Sequence, residues 1–275
     1  MCKLAESELI VSGEDVVPAG YVDNLFDLRD RVAVVTGGGS GLGAAIAIGY
    51  AQAGVKTALL DVNEDGMLAT KAIIESQGGV VETFVCDVTS KENLTQVSKE
   101  IMEKFSQVDI LVNSAGSAFR SPAEDFPEDK LDFILNLNLK GTYLAGQVFG
   151  NIMLKQGKGS IINIASIGGF IAYPLASAYL ASKGGVVQLT KSFALEWGTR
   201  GVRVNGIGPT LMDSPLTKKA GVTTSVTADF IKGRMIKERL GLPKELIGAA
   251  IFLGSDASLL VNGHTIMCDD GYLIA

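Results

Sequence analysis

Tyr179 and Lys183 stand four residues apart in "SAYLASKGG", so a helix through this stretch stacks a phenol and an ammonium on one face. A surface pair, with the lysine folded over the ring, satisfies that spacing. So does an acid–base device in which the cation draws the phenol's pKa down. Ser166 in "NIASIGG" and Asn138 in "LNLNLKG" add a hydroxyl and a carboxamide, the groups that hold an oxygen or a water. His264 is the single histidine, which excludes a multi-histidine metal site, and no Cys-x-x-Cys occurs. A hydrolase with Ser166 as nucleophile would depend on His264 alone, and "NIASIGG" lacks the Gly-x-Ser-x-Gly elbow. His264 in "VNGHT" reads more simply as a structural residue at a strand start.

A second constellation lies near the start. "TGGGSGLG", residues 36–43, falls between a β-branched run and a helical one, where a βα turn presents backbone N–H groups to a pyrophosphate. Gly37, Gly41 and Gly43 supply the tight turn and close approach, although turn glycines alone would look the same. The next apolar run ends in Asp61, a carboxylate suited to both hydroxyls of an adenosine ribose and repelling a 2′-phosphate. No Arg or Lys stands in the glycine loop or directly after Asp61, which favours NAD(H) over NADP(H).

These residues need positioning elements, and the sequence supplies them in alternation. Short apolar runs ("RVAVVT", "VKTALLD", "VVETFVCDV", "VDILVNSAG") alternate with helical stretches closed by glycines. The rhythm continues with helices over 129–156, 176–199 and 243–254 and strands "GSIINIAS", "VRVNGIGP" and "HTIMCDD". Continuous apolar strands between helices predict a parallel sheet covered on both faces. The expected fold is α/β, one doubly wound Rossmann-type domain over 31–275. Residues 1–30 form an extension whose "VPAGYVDNLFDL" could dock on the body. Residues 210–240 form a long excursion at a strand's carboxyl end, where substrate lids sit.

Composition narrows the partners. The 275 residues are 47% hydrophobic, enough for a large core, and the net charge of −6 offers no basic stripe for nucleic acid or an anionic membrane. The acidic N-terminus has no signal-peptide pattern, and no apolar run approaches a bilayer span. Cys86 and Cys268 fall in apolar runs and read as buried free thiols of a reducing, cytoplasmic protein.

Taken together, the glycine loop, "NSAG" (113–116), Asn138, Ser166, Tyr179 and Lys183 resemble the short-chain dehydrogenase/reductase family, in its order and spacing, from about residue 31 to the C-terminus. The resemblance implies Tyr179 as general acid/base, Ser166 as the hydroxyl holding the substrate oxygen, and Lys183 as tuner of the phenol and ligand of the nicotinamide ribose. It implies Asn138 as anchor of a relay water. It also implies a cofactor site of Gly37, Ser40, Gly41, Leu42, Gly43, Asp61, Asp87, Val88, Asn113, Ala115, Gly116, Tyr179 and Lys183. Pro209, Met212 and Ser214 in "GPTLMDS" would lie over the nicotinamide amide. The expected activity is NAD(H)-dependent interconversion of a secondary alcohol and a ketone, on a hydroxysteroid or on a polyol or sugar acid. A silent, regulatory NAD-binding protein is the alternative. Pairing through the helices around 138–154 and 179–197 would give a homotetramer or homodimer.

Some positions depart from the family pattern: Ser114 for a second Asn, Thr210 after Pro209, Ile236 to Glu238, and Asp270 where a glycine is usual. Phe119, Tyr173, Leu211, Met212, Leu216 and Phe230 are the expected apolar substrate wall, with core packing as an equal explanation.

Overall fold

The computed structural model describes Val17, residues 20–219 and residues 233–274. Seven parallel strands form one sheet: β1 (Val32–Thr36), β2 (Lys56–Asp61), β3 (Val81–Val85), β4 (Ile110–Asn113), β5 (Gly159–Ile164), β6 (Val202–Pro209) and β7 (Thr265–Cys268). Their order is β3-β2-β1-β4-β5-β6-β7. The order reverses between β1 and β4, which opens a crevice beyond their carboxyl ends. Every residue of β1 and β4 is buried, which is why both read as unbroken apolar runs. β3 sits at the sheet edge and leaves Val85 54% exposed, so its run of apolar residues is covered on one side only.

The helices are α1 (Tyr21–Leu25), α2 (Gly41–Gln52), α3 (Glu64–Ser76), α4 (Lys91–Phe105), α5 (Glu128–Leu135), α6 (Gly141–Gln156), α7 (Ser177–Trp197), α8 (Pro215–Lys219) and α9 (Ile247–Gly254). One core packs Ile46 and Tyr50 of α2 with Leu253 of α9 against the sheet. The Tyr50 hydroxyl is fully buried and donates to the Ala250 carbonyl at 2.7 Å. On the other face Phe149 of α6 meets Phe193 and Trp197 of α7, whose rings stack with centroids 4.1 Å apart. Gly146 and Gly150 make this possible, since a Cβ on either would stand 2.8 Å from one of those rings.

The helix expected over 129–156 is interrupted. Between α5 and α6 the chain makes a π-helical turn, Asn136–Lys140, with Asn138 fully buried at its centre. Wider turns of this kind give up regular i→i−4 bonding and cluster at functional sites. The N-terminal extension docks through Leu28, which is 1% exposed, while Tyr21, Val22 and Phe26 stay exposed. This docking is at the amino ends of the strands, where the Asp30 N–H donates to the Gly54 carbonyl at 3.2 Å and Arg31 pairs with Asp256 at 2.8 Å. The described part of the extension therefore lies opposite the crevice, not across it. Cys86 is buried as expected, but Cys268, ending β7, is only partly so; both are free thiols. His264 takes the expected strand-start position: its N–H donates to Asn205 Oδ1 at 3.1 Å and its carbonyl accepts from Gly206, while its side chain is exposed.

Candidate active site

The glycine loop turns from β1 into α2 at the crevice. Gly37 has φ +69°, and a Cβ there would sit 2.9 Å from the Ala115 nitrogen. A Cβ on Gly43 would collide with the Gly37 carbonyl, so this glycine serves the closeness of turn and helix. Thr36, the last residue of β1, accepts on its hydroxyl from the Ser114 and Ala115 N–H groups at 3.1 and 3.2 Å. That residue locks "NSAG" beside the glycine loop, and a threonine at a strand end gives no sequence signal for doing so.

Asp61 ends β2 with its carboxylate fixed by two backbone donors, Gly39 N–H on Oδ2 and Asn63 N–H on Oδ1, both at 3.0 Å. Asp87 accepts from the Thr89 N–H at 2.8 Å, and its own N–H donates to Asn93 Oδ1 at 2.7 Å. Both carboxylates border a cleft of about 290 Å³ that runs to Ser166, Tyr179 and Lys183. Among the described residues lining it, Lys183 is the sole cation. Across the cleft mouth, Thr217 in α8 donates its hydroxyl to the Met212 carbonyl at 2.6 Å and accepts from the Ser214 N–H at 3.1 Å.

Of the catalytic and cofactor-binding residues named from sequence, all border this cleft except Gly43, Asn113 and Asn138, which stand behind it. Asn113 lies under the floor and donates to Asn163 Oδ1 at 2.9 Å, and Asn163 passes the chain on to Thr190 Oγ1. The Asn138 carboxamide is wholly engaged by protein: it accepts from the Ser117 N–H at 2.9 Å and donates to the Ser117 carbonyl and Ser182 Oγ, each at 3.0 Å. It thus holds the loop after β4 against α7, a role that residue type alone could not distinguish from gripping a water.

On α7 the Lys183 ammonium lies 5.8 Å from the centre of the Tyr179 ring and donates to the Ile164 carbonyl at 2.7 Å. Burial lowers Lys183 to about 8. The Tyr179 phenol is pushed above its ordinary value by burial, with a hydrogen bond to Ser166 pulling the other way. The lowering of the phenol expected from the lysine is therefore not seen in the chain by itself, where removal of the phenolate from water dominates. Ser166 Oγ also accepts from the Gly168 N–H at 3.0 Å, which fixes the hydroxyl on the side facing the phenol.

A smaller chamber of about 70 Å³ adjoins the cleft and shares Ser166, Tyr179, Thr210, Leu216 and Thr217 with it. Phe119, Tyr173, Leu211 and Leu216 of the expected wall line it. Met212 instead borders the cleft and the first core, and Phe230 lies outside the described residues. Arg120 also lines the chamber and was not anticipated. Its signal was positional: it follows the carboxyl end of β4, where side chains face a ligand.

The residues present fit a dinucleotide: close-approach glycines at a helix start, a fixed carboxylate at the ribose position, and a buried lysine and phenol at the far end. Known proteins match this arrangement over nearly the whole chain. A family model described as enoyl-(acyl carrier protein) reductase covers residues 37–273. D-threitol dehydrogenase of Mycolicibacterium smegmatis is 41% identical over 253 residues, 92% of this chain and 96% of that protein. NAD-dependent glycerol dehydrogenase of Listeria innocua is 38% identical over 92% of this chain and 97% of its own. The crystal structure of a gluconate 5-dehydrogenase from Burkholderia cenocepacia in complex with NADP and tartrate aligns with a TM-score of 0.87 at 34% identity, covering 92% of this chain and 98% of that one.

Proposed function

The chain belongs to the short-chain dehydrogenase/reductase family, and we propose that it is an NAD(H)-dependent oxidoreductase interconverting a secondary hydroxyl of a polyol or sugar acid with the ketone. The observation that carries this reading is the convergence of Ser166, Tyr179 and Lys183 at the inner end of a cleft whose outer end is built for a dinucleotide. Ser166 holds the substrate oxygen, and Tyr179, within reach of the same oxygen, takes its proton in oxidation or returns it in reduction. Lys183 binds the cofactor ribose and favours the phenolate while it is charged. Asn138 acts through position, holding the Ser117 loop and α7 in register. Bound NAD⁺ supplies the hydride acceptor.

Preference for NAD over NADP is supported by charge. A 2′-phosphate would lie against Asp61, and no described cleft-lining residue near it is cationic. The chamber of about 70 Å³ favours a short polyhydroxy substrate over a steroid, since it is far below the roughly 300–1,000 Å³ of pockets for drug-sized ligands. Exposed Tyr143 on α6 and Leu195 on α7 support assembly as a homodimer or homotetramer, which light scattering would test. No helix among the described residues is long and apolar enough to cross a membrane, and the free thiols suit a reducing cytoplasm.

The test is an NAD(H)-coupled panel of polyols, sugar acids and the matching ketones, each active compound repeated with Tyr179→Phe. Turnover should fall roughly 10²–10⁴-fold in the variant while NADH binding persists. NADH binding by wild type with no turnover of any compound would replace this reading with the silent, regulatory one.

A further inference from the structure

Ser166 opens a short 3-10 turn, Ile167–Gly169, and caps it: its Oγ accepts from the Gly168 N–H at 3.0 Å. A serine hydroxyl offers one proton and two lone pairs, so one proton and one lone pair remain. Two phenols share them. Tyr173 and Tyr179 both line the chamber with Ser166, and a hydrogen bond with Ser166 acts on each. With one site of each kind left, Ser166 accepts from one phenol and donates to the other.

The surroundings assign the two roles. Tyr173 is held by packing against Ile167, Leu211, Met235 and Tyr272. Its hydroxyl lies 3.0 Å from the point where a Gly168 Cβ would stand, so only a glycine at 168 leaves the phenol its place beside the turn. The loop carrying it is fixed as well. Leu175 takes φ +65°, a left-handed conformation unusual for leucine, and its carbonyl accepts from the Ser121 N–H at 3.2 Å. The charged and titratable groups acting on Tyr173 are Tyr179, Tyr272 and Arg120. Burial and the other two phenols keep Tyr173 protonated against the pull of Arg120. Tyr179 differs in having the Lys183 ammonium 5.8 Å from its ring centre, which favours the phenolate while the lysine is charged. A phenol that stays protonated can donate, whereas a phenolate can only accept.

We propose that Tyr173 is a positioning residue for the reaction: it donates to Ser166 Oγ and so commits the serine's own proton to Tyr179 and the substrate oxygen. A hydrogen bond received at Oγ also polarises the serine O–H, making Ser166 a stronger donor to an oxygen that gains negative charge. In oxidation that oxygen is the alcohol's as Tyr179 takes its proton, and in reduction it is the carbonyl's as the hydride arrives. The inference rests on the functional reading above and adds a residue that works through Ser166, not on the substrate.

The experiment is a double-mutant cycle on wild type, Tyr173→Phe, Ser166→Ala and the double variant. It follows NAD⁺-dependent oxidation of the polyol or sugar acid that wild type turns over fastest, with D-threitol and D-gluconate tried first. Phenylalanine keeps the packing of residue 173 and removes only the hydroxyl. Tyr173→Phe should lower kcat about three- to tenfold, the scale of one neutral hydrogen bond, with KM and NADH affinity changed less than about twofold. Ser166→Ala should lose more. Adding Tyr173→Phe to it should then change kcat less than about twofold, because the phenol has nothing left to act through. Multiplicative losses, a loss confined to KM, or no loss in Tyr173→Phe would overturn the proposal. If wild type oxidises no polyol or sugar acid, the functional reading fails by itself. Neutron diffraction from NADH-loaded crystals exchanged into D2O still decides the positioning. Deuterium on Tyr173 Oη directed at Ser166 Oγ upholds it, and any other placement overturns it.

Discussion

The Asn138 carboxamide donates to Ser182 Oγ at 3.0 Å, and the Ser182 hydroxyl in turn donates to the Tyr179 carbonyl at 2.7 Å. The π-helical turn is thereby tied to the one turn of α7 that carries both Tyr179 and Lys183. Asn138→Ala leaves both backbone groups of Ser117 without their partner in a partly buried setting. It should cost about 1–3 kcal/mol of stability by the usual penalty for orphaned groups. The kcat should fall while NADH affinity changes little, because the cofactor residues themselves are untouched. Urea unfolding and a single-substrate kinetic series check both parts, and a normal kcat in a destabilised protein would reduce Asn138 to a purely structural residue.

On the proposed roles, charge on the Tyr179–Lys183 pair should set the pH dependence. Oxidation needs the phenolate, and burial holds that phenol above its ordinary value, so kcat/KM for oxidation should rise with pH well into the alkaline range. Reduction needs the phenol and should fall over the same interval. Because Lys183 titrates near 8 beside it, the apparent values belong to the pair. Lys183→Met should displace the oxidation profile to higher pH. Its stability effect has a definite sign as well. The folded lysine is lowered to about 8 from 10.5, so the unfolded chain binds more protons between those values. Stability from this group therefore rises with pH across that window, and the rise should disappear in Lys183→Met.

Asp61 should govern cofactor choice. Asp61→Asn retains an oxygen for one of the two backbone donors and removes the negative charge. The NAD-over-NADP ratio of kcat/KM should drop about tenfold or more, equivalent to ~1.4 kcal/mol of differential binding. Steady-state kinetics with both cofactors decides it. An unchanged ratio would mean that discrimination lies elsewhere in the cleft.

The strand–helix order was legible because a parallel sheet buried on both faces writes itself as apolar runs between glycine-stopped helices. β3 read as fully buried because an edge strand in this fold keeps an apolar sequence even where Val85 meets solvent. The π-turn was not legible: "LNLNLK" has helical spacing, and only the tertiary demand on Asn138 widens the turn. The residues lining the cleft were legible through motifs, whereas the contacts of Thr36, though it opens one of those motifs, and the place of Arg120 were not, since neither residue type announces what it will face after folding. Two of the departures from the family pattern also made sense only in three dimensions, because they touch.

Asp270 adopts φ +52°, the left-handed conformation that a glycine takes without strain, and the reason lies in the 236–238 stretch. Its Oδ2 accepts from the Lys237 N–H at 2.6 Å, and its carbonyl accepts from the Ile236 N–H at 3.1 Å. Ile236 packs over Gly271, where any Cβ would clash with it. Asp270 therefore clamps the limb at 236–237, and the aspartate and the altered 236–238 segment act as one unit. Asp270→Ala combines loss of that charged hydrogen bond with a Cβ-bearing residue lacking a local polar side chain in the left-handed region, for an expected ~2–4 kcal/mol. Asp270→Gly relieves the backbone and loses only the side-chain bonds, so it should cost less while raising KM for the substrate through a looser limb. Urea midpoints for the two variants, with KM measured alongside, give the order. Equal destabilisation by Ala and Gly would show that the left-handed backbone carries no cost here, and an unchanged KM would separate the clamp from substrate binding.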